Sequence, residues 1–323
     1  MTLERINQIV PLLQIEKLSV QLPTVRGTVH AVRNVSFSIE QSEMLALVGE
    51  SGCGKSVTAQ AITGLLPDSA VVTAQLARFN QKNLLHAGFQ RGIAMIFQNP
   101  MATFNPVLTI GYQIAEPLRQ IHGYNRKDAE QEALRLLERM KIVDAKNKAQ
   151  RYAHEFSGGM LQRAAIAMAL ACKPTLLIAD EPTTALDIST QHEVMALLAE
   201  LRTEEKLAIL FITHDLGLVS RHADRIAVMY AGEIIETANT GDVFKNPAHP
   251  YTRALLAALP TTGTTRLLAL EGSPPDLRFP PAACAFAERC SQVMPVCTQQ
   301  SPPVVETQHA ARCWLHKEES SNG

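Results

Sequence analysis

The sequence predicts an α/β chain, and three observations carry that expectation. Short apolar runs recur at 44–48, 92–97, 175–179 and 208–213, each suited to a buried strand. Helical periodicity separates them: across 127–140, Ala129, Ala133, Leu136, Leu137 and Met140 fall on one face. The first run also leads into Gly49-Glu50-Ser51-Gly52-Cys53-Gly54-Lys55-Ser56, a G-x-x-x-x-G-K-S loop, and then a proline-free stretch to about Leu66. Strand, glycine loop and helix is the setting in which that loop cradles phosphate. Its glycines let several N–H groups converge, and the helix N-terminus adds partial positive charge. Lys55 would reach the β- and γ-phosphates, and the Ser56 hydroxyl would bind Mg²⁺. Gly49 through Ser56, with the following Val57, form the expected phosphate cradle.

Composition sets the bounds. The 323 residues suffice for one or two domains, and 46% apolar with 19% charged residues is an ordinary globular balance. A formal net charge of -1 offers no basic field for nucleic acid. The N-terminus carries no secretory h-region, and no apolar run approaches a membrane span. A cytosolic location is expected, with the six cysteines reduced.

In chain order, 12–22 and 29–40 alternate apolar and polar residues as two antiparallel strands would. Residues 71–91 read as irregular strand and loop, and 92–98 as a core strand ending in Gln98. Asn99-Pro100 and Asn105-Pro106 punctuate a loop, after which 109–172 is mainly helical. The strand at 175–179 ends in Asp180-Glu181, where Asp180 would hold Mg²⁺ and Glu181 would polarise a water as general base. On its own that acidic pair could equally be a solvated turn. Phe156-Ser157-Gly158-Gly159-Met160 opens a helix, with Ser157 as N-cap and the glycine N–H groups open to an anion. Helix is expected at 190–206 and 216–223, and short strands at 208–213, 225–230 and 233–237. Beyond Pro260 the chain is rich in proline and cysteine and reads as an irregular accessory region, frayed from Lys317 on.

With these residues in order, the chain resembles an ATP-binding-cassette (ABC) ATPase over about 12–240. The resemblance rests on Walker A at 49–56, a Q-loop Gln98, the signature Ser157-Gly158-Gly159-Met160, Walker B ending in Asp180 with Glu181, and the switch His214. Ala185-Leu186-Asp187 resembles the D-loop. It implies a cassette fold: a mixed-sheet core, an antiparallel β subdomain and a helical subdomain at about 100–172. It also implies a mechanism in which two cassettes sandwich two ATP molecules. The signature of each closes over the γ-phosphate held by the other, and His214 senses that phosphate. Ser56, Asp180 and Gln98 would serve Mg²⁺, and Glu181, His214 and Gln98 the hydrolytic step. The sequence departs from the common pattern twice. Met160 replaces glutamine, and His30 stands where an adenine-stacking aromatic is usual.

A finer resemblance covers 246–316. Asn246-Pro247-Ala248-His249-Pro250-Tyr251-Thr252-Arg253 and the cysteine-bearing tail are similar to the dipeptide/oligopeptide/nickel importer subfamily. The implied organisation is an ATPase domain at 12–245 and an importer-type region at 246–323. Implied partners are a paralogous ATP-binding subunit, two membrane permease subunits and an extracytoplasmic solute-binding protein. The chain would sit peripherally on the cytoplasmic face of the membrane, with 103–117 docking on the permeases. Its cargo would be peptides or, alternatively, nickel or a metallophore. A soluble cassette acting on ribosomes or DNA is the competing class. Such proteins usually carry two cassettes or a coiled-coil insertion, and neither is present.

Cys284, Cys290, Cys297 and Cys313 are spaced C-x5-C-x6-C-x15-C. That spacing is looser than a zinc ribbon and suits a [4Fe–4S] cluster, which some members of the subfamily are thought to carry. A Cys₄ zinc site and free buried thiols remain alternatives. A structural or redox-sensing role is expected of this tail, with ATP chemistry untouched except through stability.

Overall fold

The computed structural model describes residues 10–84, 92–184, 186–259, 270–306 and 309–317. Among them, two sheets carry the architecture. In the first, Leu13–Thr24 and Gly27–Ile39 pair antiparallel as their alternation predicts, and Leu76–Phe79 with Lys82–Asn83 extend the far side. Val71–Thr73 also pairs with Leu13–Thr24. The 71–91 segment is thus short strands up to Asn83, and its last part, 85–91, lies outside the described residues.

The second sheet has the strand order 304–306, 310–312, 233–239, 225–230, 44–48, 208–213, 176–180, 93–96. The five strands from Arg225–Tyr230 to Ile93–Ile96 run parallel, so their C-terminal ends emerge together. Met44–Val48, Leu176–Asp180 and Ala208–Thr213 are buried throughout. Continuous apolar runs are what a parallel sheet covered on both faces requires.

The region between the strands at 93–96 and 176–180 is helical: Ile110–His122, Arg126–Arg139 and Gly158–Ala171 are its main helices. Ala129, Ala133, Leu136, Leu137 and Met140 are all buried, as their spacing predicts. Asn125 caps the second helix by accepting from the Asp128 N–H at 2.9 Å. Gly123 ends the first in the left-handed conformation that glycine adopts cheaply.

The C-terminal region is irregular from 270 to 303 apart from short 3₁₀ turns, but it is not irregular throughout. Val304–Glu306 and Ala310–Arg312 form a hairpin that joins the main sheet, with Glu236 opposite Ala311 and Thr237 opposite Ala310. Three-residue strands leave too little periodicity for a sequence to display. Upstream, Pro250–Ala257 is a helix begun by His249, whose Nδ1 accepts from the Tyr251 N–H at 3.0 Å.

Glu236, fully buried, ties these pieces together. Its carboxylate accepts from the N–H groups of Ala248 and His249 at 2.7 and 2.8 Å and meets His309 Nδ1 at 2.8 Å. A second joint is aromatic: the rings of Tyr230, Tyr251 and Phe286 lie 4.6, 5.3 and 5.4 Å apart, each from a different segment. We predict that Glu236→Ala costs about 3 kcal/mol or more, because buried donors stripped of their acceptor cost roughly 1–3 kcal/mol each. Urea unfolding would read this, and a loss below about 1 kcal/mol would contradict the assigned role.

Candidate active site

The parallel strands deliver the chemistry-bearing residues to one edge of the sheet. Met44–Val48 runs straight into the glycine loop, and the helix Lys55–Thr63 begins with Gly54 as N-cap at φ 108°. Glycine is required at both ends of the loop. A side chain on Gly49 would run into the Met229 carbonyl, and one on Gly54 into that of Ala31. Lys55 is buried and donates to the carbonyls of Gly49 and Glu50 at 2.8 and 3.0 Å, so its ammonium already lies across the loop. Cys53 is buried, and its Sγ lies 3.8 Å from Lys55 Nζ. Burial raises the Cys53 pKa.

Asp180 ends the neighbouring strand but one and accepts from the Ser56 hydroxyl at 3.1 Å. Burial raises its pKa, and Glu181 raises it further against the opposing pull of Ser56 and Lys55. A serine hydroxyl beside a desolvated carboxylate is a hard oxygen donor pair, and that chemistry fits Mg²⁺.

Glu181 follows at φ 47°, its N–H donating to the Ile212 carbonyl at 2.9 Å. Left-handed backbone in a non-glycine residue is uncommon and tends to occur where a side chain must be aimed. Here one oxygen, Oε2, meets three groups: Gln98 Nε2 at 3.1 Å, Thr184 Oγ1 at 2.8 Å and His214 Nδ1 at 3.4 Å. Gln98 comes just past the strand Ile93–Ile96, and His214 directly past Ala208–Thr213.

The structure therefore brings together the glycine loop, Ser56, Gln98, Asp180, Glu181 and His214. It does not bring the signature to them. Ser157 caps its helix by accepting from the Met160 N–H at 3.4 Å, Gly158 faces Leu186, and a side chain on Gly159 would strike Thr190. Asp187, next to that surface, caps the helix Ile188–Glu204 by accepting from the Thr190 N–H at 3.0 Å. Ala185 of the expected D-loop lies outside the described residues. His30 sits on Gly27–Ile39, half-buried, with its N–H donating to the Leu277 carbonyl at 2.9 Å.

Three contacts were not legible in the sequence. Thr184 on Glu181 lies next to a predicted motif and could have been suspected from proximity. Tyr251, whose hydroxyl accepts from the Glu50 N–H at 3.0 Å, and Arg289, forked onto the Glu50 carboxylate, come from more than 200 residues away. No local signal marks either.

Cys284, Cys290, Cys297 and Cys313 converge on one small cavity of about 10 Å³, walled by Pro250, Phe286 and Trp314 among others. Burial pushes the Cys284 thiol up to about 11, and the neighbouring thiols add to it. Among the described residues, no set of three or more His, Cys, Asp and Glu side chains is arranged to hold a metal ion as it stands.

Known proteins share both halves of this chain. Residues 32–184 match the ABC transporter family, and residues 235–297 match the family described as Oligopeptide/dipeptide transporter, C-terminal region. The dipeptide transport ATP-binding protein DppD of Bacillus subtilis (strain 168) is 44% identical over 322 residues, covering 96% of each chain. The chain belongs to the ABC transporter family. Within it, the oligopeptide transport ATP-binding protein OppD of the same organism is 43% identical, over 94% of this chain and 88% of that one. A solved bacterial ABC transporter cassette, MJ0796 in its dimeric structure, superposes with a TM-score of 0.61 at 25% identity, covering 71% of this chain and 98% of that one. This ABC protein is an ATP-binding and ATP-hydrolysing subunit. Among its described residues, no helix is long and apolar enough to cross a membrane.

The raised pKa of Asp180 has a consequence for stability. A carboxyl whose folded pKa lies above its unfolded value loses stability as pH rises through that window, where the fold must hold a desolvated anion. At neutral pH Asp180→Asn should therefore raise the melting temperature of the nucleotide-free protein. It should also abolish the Mg²⁺-dependent part of ATP binding. A lower melting temperature for the variant would contradict the desolvation account.

Proposed function

We propose that this chain is the motor subunit of a peptide importer, hydrolysing ATP at a site it shares with a second cassette. The observation that carries the reading is the spatial split within one chain. Phosphate cradle, carboxylates, Gln98 and His214 gather at one sheet edge, while Ser157-Gly158-Gly159-Met160 stands against Leu186 and Thr190. Such a split is supplied with its missing half by a partner, as in a head-to-tail pair, and the MJ0796 cassette was solved as a dimer.

In this reading the loop N–H groups from Gly49 to Val57 and the Lys55 ammonium hold the β- and γ-phosphates. Ser56 and Asp180 would hold Mg²⁺ with Gln98 at its margin, and a divalent cation there would supply positive charge against that developing on the transferred phosphoryl group. Glu181 takes the proton of the attacking water. Its Oε2 rests on Gln98, Thr184 and His214, so γ-phosphate arriving at Gln98 and His214 frees the base where water must sit. Ser157, Gly158, Gly159 and Met160 of the partner cap that phosphate with a helix N-terminus, and closure excludes bulk water. His30 lies beside the base of the nucleotide.

Peptide cargo is supported by the DppD and OppD relatives and by the C-terminal match at 235–297. In this reading the partners are a paralogous ATPase subunit, two permease subunits contacted through 103–117 and an extracytoplasmic binding protein, and the chain lies peripherally on the cytoplasmic face of the membrane. The division at 245/246 separates the ATPase domain from the importer-type region in sequence, although the sheet continues across it.

Four thiols around an apolar-walled cavity fit a thiolate-bound metal group by donor chemistry, and a [4Fe–4S] cluster is the reading we favour over zinc. Such a group would serve to pin a segment with little apolar core of its own. Protein purified anaerobically should then carry about four irons per chain. Stoichiometric zinc would replace the cluster with a Cys₄ zinc site, and four titratable thiols without metal would remove both.

Glu181→Gln tests the hydrolytic reading. We expect ATP binding to persist while turnover by the assembled transporter falls about 10²–10⁴-fold, the range general-base catalysis commands. Lys55→Ala should instead weaken binding itself. Near-native turnover in Glu181→Gln would assign the base elsewhere.

A further inference from the structure

Two side chains of the C-terminal region, Tyr251 and Arg289, reach the ATP site at Glu50. Arg289 sits at the end of the 3₁₀ turn Ala287–Arg289, immediately before Cys290, and its side chain is 6% exposed. Its guanidinium forks onto Glu50, with Nη1 to Oε2 at 2.8 Å and Nη2 to Oε1 at 2.9 Å. Nη1 also donates to the Tyr230 hydroxyl at 3.2 Å, and Nε to the Glu271 carbonyl at 3.0 Å. A bidentate pair of this kind fixes direction as well as distance.

Glu50 is the second residue of the phosphate cradle, and every polar group it has is engaged. The carboxylate holds Arg289, the N–H donates to Tyr251, and the carbonyl accepts from Lys55 Nζ at 3.0 Å. Two of these three partners belong to the C-terminal region. The third is the lysine that must meet the phosphates. Rotating the Glu50 peptide would move the Lys55 anchor and one N–H of the cradle together.

We propose that Arg289 is a positioning residue for the P-loop, setting nucleotide affinity through Glu50. This rests on the phosphate-cradle reading of 49–56, and it departs from the expectation that the tail touches ATP chemistry only through stability. Arg289 touches no substrate; it acts by holding the peptide that holds Lys55. A purely structural Arg289 would tie down the tail and leave affinity alone.

The test is a titration of the full-length chain with a fluorescent ATP analogue and Mg²⁺, with melting temperatures recorded in parallel. Arg289→Gln and Glu50→Gln should each raise the Kd by about fivefold or more, the lower end of typical site-to-site coupling. The double variant should bind no worse than the weaker single, because both changes break one link. Arg278→Gln, which removes an exposed pair with Asp276 and a contact over the Phe279 ring in the same tail, should leave the Kd unchanged. Lys55→Ala separates the two levels: if it binds normally, the phosphate-cradle reading fails. If it abolishes binding while Arg289→Gln and Glu50→Gln keep the native Kd, only the positioning role fails. Additive effects in the double variant would also overturn it. Should Arg289→Gln fold poorly, Glu50→Gln decides alone, since it leaves the carbonyl contacts of Arg289 in place.

Discussion

The parallel register of five strands is the constraint on which the rest of the molecule depends. Met44–Val48 is hydrogen-bonded to Ala208–Thr213 on one side and Arg225–Tyr230 on the other, and Leu176–Asp180 lies one strand further out. Parallel strands cannot be joined by tight hairpins, so every connection must cross a face, and all the strand exits point the same way. Gly49, Gln98, the Asp180-Glu181 pair and His214 are far apart in sequence for that reason and brought to one sheet edge for the same one. Loops that leave together from a rigid edge can hold several polar groups within hydrogen-bonding reach without a large local core.

Much of this was legible in the sequence because the strands at 44–48, 176–180 and 208–213 are buried on both faces. Such strands show as unbroken apolar runs, and Gly49, Asp180 and Thr213, where the apolar character stops, mark the sheet edge. The helix at Arg126–Arg139 was equally readable, its buried positions repeating with the helical period. What escaped notice has a common physical cause. The hairpin at 304–306 and 310–312 is too short for periodicity and exists only because Thr237 and Glu236 offer partners. Arg289 and Tyr251 reach Glu50 through tertiary contact alone. Hydrogen bonds between residues this distant leave no pattern in either local stretch.

The polar contacts around Glu181 show how one carboxylate can be held without being spent. Thr184 and Gln98 donate to the same oxygen, and His214 stands slightly further off. Because all three converge on Oε2, none of these three bonds ties Oε1. The left-handed backbone at Glu181 makes this aim possible, since a helical or extended turn there would send the side chain elsewhere.

The hairpin of Val304–Glu306 and Ala310–Arg312 has a consequence for solubility. Without it, Glu233–Asn239 would be the outermost strand of the sheet, seven residues with a free row of N–H and C=O groups. An open edge of that length is a template for any other extended chain it meets. The hairpin pairs with Glu236 and Thr237 at the middle of that edge and sets outside them a three-residue border, Val304–Glu306, that carries a carboxylate at its end. The tail thus acts as a selvedge: it finishes the sheet so that the sheet does not continue into a neighbour.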